Sequence, residues 1–385
     1  LRFIYKIHLF SDNFILIIII TKYKNKEKDL QYLIILIFWF IGWFLFRNVK
    51  FLSYKKPKNN NFLISVIIPA RNEEQNIGKI LKTVKSQTLK PYEVIVVNDN
   101  SSDRTQFIAE SYENVKVISL NEEPPPSWVG KPWALWNGYL NSSGDLLLFL
   151  DADVELSENA IESILAEYEK HGGMISVWPY QRLERFYEHL TLPFNLIAVC
   201  STNPFLSKKK KPIGAFGPII LTSRRDYESV GGHKEVKGEI IEDLKIGKLY
   251  VEKGINLTNL LGGNIVKFRM YPEGIKQMFE GLTKNMVKGA IHSGIWNFLL
   301  IFMWFTGIYS SINLIFSNIN LINLIYYILF IFQIHVLTRN TGDYNFFDFI
   351  LYPLHFCFFL LIFLISFIKA VFLKSIKWKG RKINV

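Results

Sequence analysis

Two kinds of apolar pattern divide the chain. Between about residues 62 and 270, short apolar runs alternate with amphipathic stretches, while long apolar runs with almost no charge occupy both ends. In the middle region, FLISVIIPA (62–70), YEVIVVNDNSSD (92–103), VKVISL (115–120), LLLFL (146–150) and MISVW (174–178) read as strands stopped by polar or turn residues. The intervening stretches predict a helix opened by Arg71, Asn72, Glu73 and Glu74 and running to about Gln87. A second follows Lys131, with Pro132 at its first position, and a third covers about 157–170. Asn100 to Asp103 read as a turn and helix cap. This alternation predicts an α/β domain built on a mostly parallel sheet with crossover helices.

The ends follow different rules. The run 14–20 is too short to span a bilayer, and with Leu1 rather than Met at the start it reads as a processed or mis-started end. Residues 33–46 with their neighbours reach the roughly 20 residues that a transmembrane helix needs. Arg47, Lys50, Lys55, Lys56 and Lys58 follow it and favour a cytoplasmic position for the next domain; Lys22, Lys24, Lys26 and Lys28 on the other side weaken that signal. Pro57 and Asn59 to Asn61 read as a linker. Beyond the α/β region, Ile275, Met278, Phe279, Leu282 and Met286 recur at helical spacing, as in a helix lying at the membrane interface, although a core-packed helix has the same pattern. Apolar segments at 295–316, 321–337 and 349–373 complete the chain. Three crossings would leave Lys374, Lys377, Lys379, Arg381 and Lys382 outside, against the positive-inside tendency. Either one segment is therefore re-entrant or interfacial, with Pro353 marking the last, or the tail is an exception. The expected organisation is an anchor and linker (1–61), an α/β domain (62–270), an interfacial helix (271–294), and transmembrane segments with a basic tail (295–385).

Charge sharpens this picture. A net charge of +12 and a pI near 9.4 would suit nucleic acid, but the bases are not interleaved with aromatics on a nucleic-acid module. They flank apolar stretches instead, as in proteins resting on anionic lipid, so the lipid bilayer is the expected partner and nucleic acid is not. Cys200 and Cys357 lie far apart in apolar surroundings and imply neither a disulfide framework nor a metal cluster.

The chemistry concentrates where the 146–150 run stops, at Asp151 and Asp153. Residues two apart in an extended segment point to one side, and ligands bind at the carboxyl ends of strands in open α/β sheets. A hard divalent cation commonly shares itself between one or two carboxylates and a substrate's phosphates. An Asp-x-Asp that merely caps a turn is the plain alternative. Asp99 closes the second strand, with a simple turn aspartate as the lesser alternative. Lys131 precedes a helix whose amino terminus favours an anion, or is a solvated loop lysine. GEIIEDLKIG (238–247) places Glu242 and Asp243 at a helix start, where acids are also favoured electrostatically.

The order IIPARNEE, VNDNSSD, a Gly-Lys before a helix, FLDADV and IIED resembles family 2 glycosyltransferases with a GT-A fold. VWPYQRLERFYE, AFGPIILT, a Gly-Gly-His and FRMYPEG resemble the membrane-bound branch that acts on 4,4'-diaponeurosporenoate. The resemblance implies that Pro69, Ala70, Glu73 and Asp99 hold the nucleotide of a sugar diphosphate, with UDP the expected one. Lys131 would contact its diphosphate. Asp151 would lie near the ribose or metal, and Asp153 would bind Mg²⁺ or Mn²⁺. Asp243 would be the general base of an inverting transfer, with Glu242, His233, Glu280 and Lys284 as weaker acceptor or diphosphate contacts. Gln181, Arg182 and Arg185 resemble the signature of processive synthases, but they precede the Glu-Asp pair and Phe186 replaces Trp. They read as a helix surface, and transfer of a single sugar, glucose by preference, is expected. His189 and Cys200 are assigned to packing, and Lys208 to Lys211 to a solvated loop. One tension concerns the acceptor. A carotenoid carboxylic acid, with a pKa near 4.3 like a Glu side chain, is already ionised at neutral pH, so a base at Asp243 suits a hydroxyl at least as well. Polyprenyl phosphate, ceramide-like and diacylglycerol acceptors therefore stay open, as does a nucleotide-sugar-binding membrane scaffold that catalyses nothing.

Overall fold

The computed structural model describes residues 26–202, 212–369, 375–378 and 381–384; side chains 284–292 and those beyond 369 are outside the description. The stretch 14–20, the lysine run 208–211, Lys374 and Lys379 lie outside the described residues.

The middle region is one seven-stranded sheet flanked by helices. Its strands are β1 (Ile64–Ala70), β2 (Glu93–Asp99), β3 (Val115–Leu120), β4 (Leu146–Leu150), β6 (Met174–Trp178), β8 (Ile219–Ser223) and β9 (Leu257–Leu261). They lie in the order β3-β2-β1-β4-β8-β6-β9. β1 is parallel to both β2 and β4, so successive strands step away from β1 to β3 and then return to its other side at β4. That reversal leaves a crevice at the carboxyl ends of β1 and β4, the place where open α/β sheets bind ligands. β8 runs antiparallel to both neighbours, the one departure from a parallel sheet. A second, three-stranded sheet of β5 (Val154–Leu156), β10 (Val266–Phe268) and β7 (Tyr180–Gln181) continues from the Asp151–Asp153 turn. All five side chains of β4 are buried, which explains its unbroken apolar run.

The helix expected from Arg71 begins instead at Ile77 and ends at Lys85. Asn72 adopts a left-handed backbone (φ 51°), which a helix start does not tolerate. The N–H groups of Asn72 and Glu73 donate to the Ser101 and Thr105 hydroxyls of the neighbouring loop. Gln181 is also not on a helix surface. It sits in β7, buried, with its amide donating to Thr191 and its carbonyl accepting from Asn195 and Tyr344.

The two ends of the chain fold together. Helix α1 (Lys26–Leu45) precedes the sheet. Within the α/β region lie α2 (Gly130–Leu140), α3 (Leu192–Ser201) and α4 (Glu242–Glu252). Helices α5 (Ile275–His292), α6 (Ile295–Ser317), α7 (Leu321–Thr338) and α8 (Tyr352–Ile368) follow it. Among the described residues three helices, α1, α6 and α7, are long and apolar enough to cross a membrane, while α8 is a shorter apolar helix. Leu30, Leu33, Ile37, Phe40 and Phe44 of α1 are exposed at helical spacing, a stripe that a bilayer would cover. The opposite side of α1 packs on α6 and α7. Gln333 accepts from Trp304 Nε1 at 2.8 Å and donates to the Trp39 carbonyl at 2.6 Å. Gly42 sits so close beneath that a Cβ would lie 2.4 Å from Trp304 Nε1. After α1, the chain pairs with the sheet edge: the Leu52 N–H donates to the Leu261 carbonyl, and the Leu261 N–H to the Lys50 carbonyl. Met278 and Leu282 of α5 are buried in the apolar cluster shared with α6 to α8, and Ser366 donates to the Thr283 carbonyl, while Ile275 is exposed.

Candidate active site

At the crevice between β1 and β4 lies a cleft of about 760 Å³. Pro69, Ala70 and Asp99 reach it from the ends of β1 and β2, and Glu73 from the turn after β1. Asp151 and Asp153 enter from the turn after β4, Lys131 from the first turn of α2, and Glu242 and Asp243 from the first turn of α4. Positions far apart in sequence thus line one space, on one side of the sheet.

Three contacts hold this geometry. The Asp151 N–H donates to the Pro218 carbonyl at 2.9 Å, fixing the aspartate turn to the 214–218 segment. Gly217 of that segment lies against Asp243, and a Cβ there would come 2.5 Å from Asp243 Oδ2. Gly247, one turn further along α4, leaves room for the backbone of Gly214 and Ala215, which a Cβ would meet at 2.3 Å. AFGP (215–218) is therefore the hinge plate on which both acidic motifs rest. Gly217 within it, with Gly247 on α4, gives the sequence signal for a positioning role, which motif order alone does not convey.

Lys131 Nζ lies 2.7 Å from Asp151 Oδ1 and 3.0 Å from Glu242 Oε1. Burial disfavours its charge, but Asp151, Glu242 and Asp243 outweigh that and hold the ammonium charged well above its usual range. Burial pushes Asp151 up, partly offset by Lys131. Burial, then the charge of Glu242, pushes Asp243 up to about 7, against Lys131 and the Leu244 N–H that its Oδ1 accepts. The arrangement puts a carboxyl that titrates near neutrality beside a permanent cation.

His233 is not in the cleft. It is buried in a short 3₁₀ turn (Gly232–Lys234), where its N–H donates to the Tyr227 hydroxyl and its Nδ1 lies 2.9 Å from the same oxygen. Burial drives its pKa down to about 4, so it is a neutral packing histidine behind Glu242. Glu280 does not line the cleft; Gln277 and Gly281 of the same helix do. The side chain of Lys284 lies outside the described residues. His189 is more than packing, since its Nδ1 lies 2.8 Å from Asp348 Oδ2, whereas Cys200 is buried in the apolar core. The sequence reading missed Arg71, whose guanidinium donates to the Asp99 carbonyl at 2.8 Å. It also missed Trp128, Trp178 and Tyr271, which wall the cleft.

Asp151 and Asp153 offer hard oxygen donors at the cleft floor. Among the described residues no group of three or more His, Cys, Asp or Glu side chains forms a self-sufficient metal cage. The donor set fits an ion such as Mg²⁺ or Mn²⁺ that completes its shell with phosphate and water oxygens.

Residues 65–231 match the Glycosyl transferase family 2 model. The chain is 34% identical to a 4,4'-diaponeurosporenoate glycosyltransferase of Staphylococcus haemolyticus (strain JCSC1435), over 89% of this chain and 95% of that one. It is 33% identical to the enzyme of the same name from Staphylococcus aureus (strain USA300), over 89% of this chain and 94% of that one. Its fold is similar to that of the mannosyltransferase PcManGT from Pyrobaculum calidifontis, solved in complex with GDP-Man and Mn2+. The TM-score is 0.50 at 14% identity, covering 90% of this chain and 97% of that one. The switch-point cleft, the acidic motifs in order and the relatives matched over nearly their whole length lead to one conclusion: the chain belongs to glycosyltransferase family 2 and is a glycosyltransferase of GT-A fold, flanked by apolar helices long enough to cross a membrane.

Proposed function

We infer that the protein transfers one sugar, with inversion, from a nucleoside diphosphate sugar to a carotenoid-like lipid acceptor. The observation that carries this reading is the convergence of Asp151, Asp153, Lys131 and Asp243 in one cleft beside the membrane helices. UDP-glucose is the donor favoured here, with Asp99, Glu73, Pro69 and Ala70 around the nucleotide and Lys131 at the diphosphate. Asp153, with Asp151, would hold Mg²⁺ or Mn²⁺, which would neutralise charge left on the departing diphosphate. Asp243 is the base. Its ionised form accepts the proton of a hydroxyl acceptor as the oxygen attacks the anomeric carbon; with an acceptor already ionised, its protonated form would instead donate a hydrogen bond that orients the head group. A carotenoid-acid acceptor is supported by the name of the relatives that match nearly the whole chain. The bilayer is the partner surface, and a cytoplasmic, multi-pass arrangement follows from where nucleotide sugars are made and where the acceptor resides.

The test is incubation of the membrane-embedded protein with UDP-glucose, MgCl₂ and 4,4'-diaponeurosporenoate, followed by mass spectrometry of the extracted lipid. A hexosyl ester absent from Asp243→Asn and Asp153→Ala reactions supports the reading. A hexosyl glycerolipid in its place would overturn the acceptor, and intact function in both variants would overturn catalysis altogether.

A further inference from the structure

Behind the catalytic cleft lies a second cavity, of about 410 Å³, enclosed by α3, α5, α6 and α8. Its walls are apolar and ring-rich, with Phe194 on α3, Phe298, Phe302 and Phe305 on α6, and Phe359 and Phe363 on α8. The Phe359 ring packs against both Phe194 and Phe305, with centroids 5.1 Å apart in each pair. Among the described residues no Lys or Arg lines this cavity. The two cavities share Trp178, Ile241, Asp243, Met270, Tyr271 and Gly281. Among these the one acid is the proposed base.

We propose that this second cavity is the acceptor site: the apolar chain of the lipid lies between α3, α6 and α8, and its terminal oxygen passes Trp178 and Tyr271 to reach Asp243. The proposal rests on the transfer reading above and adds the route and the chemistry of the occupant. A volume of 410 Å³ lies in the range of sites for drug-sized ligands, so it takes the head-proximal section of a long chain while the rest lies in the bilayer. Flat rings on three helices make a slot suited to a rigid, conjugated chain, which loses little rotamer freedom on entering, whereas a saturated chain of equal length loses much more. A phosphate head brings more negative charge against Asp243 and needs paired positive charge when desolvated, whereas a carboxyl head can share one proton with Asp243 and a hydroxyl head carries no charge.

Equilibrium binding of 4,4'-diaponeurosporenoate in detergent micelles, read by quenching of tryptophan fluorescence, tests this without requiring turnover, because Trp178 stands in the shared wall. Ala198→Phe and Thr306→Phe, at two lining positions, fill the cavity and weaken binding about tenfold or more. Thr306→Val, which nearly keeps the volume, binds as the wild type does and ties the loss to filling rather than to misfolding. Equal binding by the filled variants, or no binding by the wild type, overturns the proposal. Binding of a polyprenyl phosphate as tight as that of the polyene acid overturns its head-group half. Binding without sugar transfer would sink the transfer reading and leave the cavity in place; normal transfer by the filled variants would do the reverse.

Discussion

The catalytic cleft and the membrane-helix unit both bury polar groups, and they do so in opposite ways. In the helix unit the buried side chains are mostly neutral and bonded to the backbone of a neighbouring helix. Gln333 reaches the Trp39 carbonyl, and Asn323 donates to the Leu314 and Asn318 carbonyls. In the cleft the buried groups are charged, with Lys131 set among three carboxyls. Neutral pairs satisfy each other and leave nothing for a ligand. A set of charges with more acid than base is costly to bury and is settled only when a cation or a polar substrate joins it. In its paired polar groups one region is finished on its own, and only its apolar cavity is open to an occupant; the other is built to be completed.

Removing the base should break this contrast most severely. Asp243→Asn is expected to lower the transfer rate by about 10² to 10⁴ while leaving thermal stability near wild type, since the substitution removes a like charge beside Glu242. Next comes Gly217→Ala, which adds no charge at a position that lines the cleft. Its Cβ would meet Asp243 Oδ2 at 2.5 Å, and a displacement of about 1 Å costs on the order of 10² in rate. Steady-state kinetics should show the loss in kcat with the donor KM little changed.

Acidity gives a smaller and graded effect. With the Asp243 pKa pushed up to about 7, the ionised base forms only above that pH. With a hydroxyl acceptor, kcat should therefore fall roughly tenfold per unit as pH drops below 7, and a fully ionised carboxylate acceptor should lack that limb. The same shift has a stability counterpart of opposite direction. A carboxyl with a raised folded-state pKa stabilises the fold in its protonated form, and that contribution is lost as pH rises through about 7. The smallest effect is expected in the finished region. Gln333→Leu should lower stability in detergent by about 1–2 kcal/mol, measured by thermal inactivation, with the transfer rate per folded molecule unchanged. A rate loss larger than the stability loss would show that the helix unit also shapes the reaction.

The sequence made the sheet and the acidic positions legible for a physical reason. Strands buried on both faces must be continuously apolar, so β1, β2, β4 and β6 stand out, and chemistry at the carboxyl ends of β2 and β4 shows as an abrupt switch to Asp. The same continuity hides direction: IILTS of β8 reads like any parallel strand, and its antiparallel course depends on the chain returning through 214–218. The helix misplaced at Arg71 shows the limit of local pattern, since Asn72 and Glu73 give their N–H groups to a loop some 29 to 32 residues later. His233 follows a Gly-Gly pair and looks like a ligand-facing turn, yet a single hydroxyl from Tyr227 draws it inward. The ring-lined cavity was illegible as well. Its rings come from three of the four helices that border it, whose apolar faces look alike in sequence, and only their packing separates the rings that fill space from those that border it.

The short pairing of Lys50 and Leu52 with Leu261 has a mechanical consequence. It closes one margin of the sheet with the strand that leaves α1, so the anchor and the catalytic body share backbone bonds rather than a slack tether. With α1 seated in a bilayer, that pairing would limit how far the body rolls or lifts from the lipid. The cleft would then keep to one depth, and depth itself would become a selector among lipids.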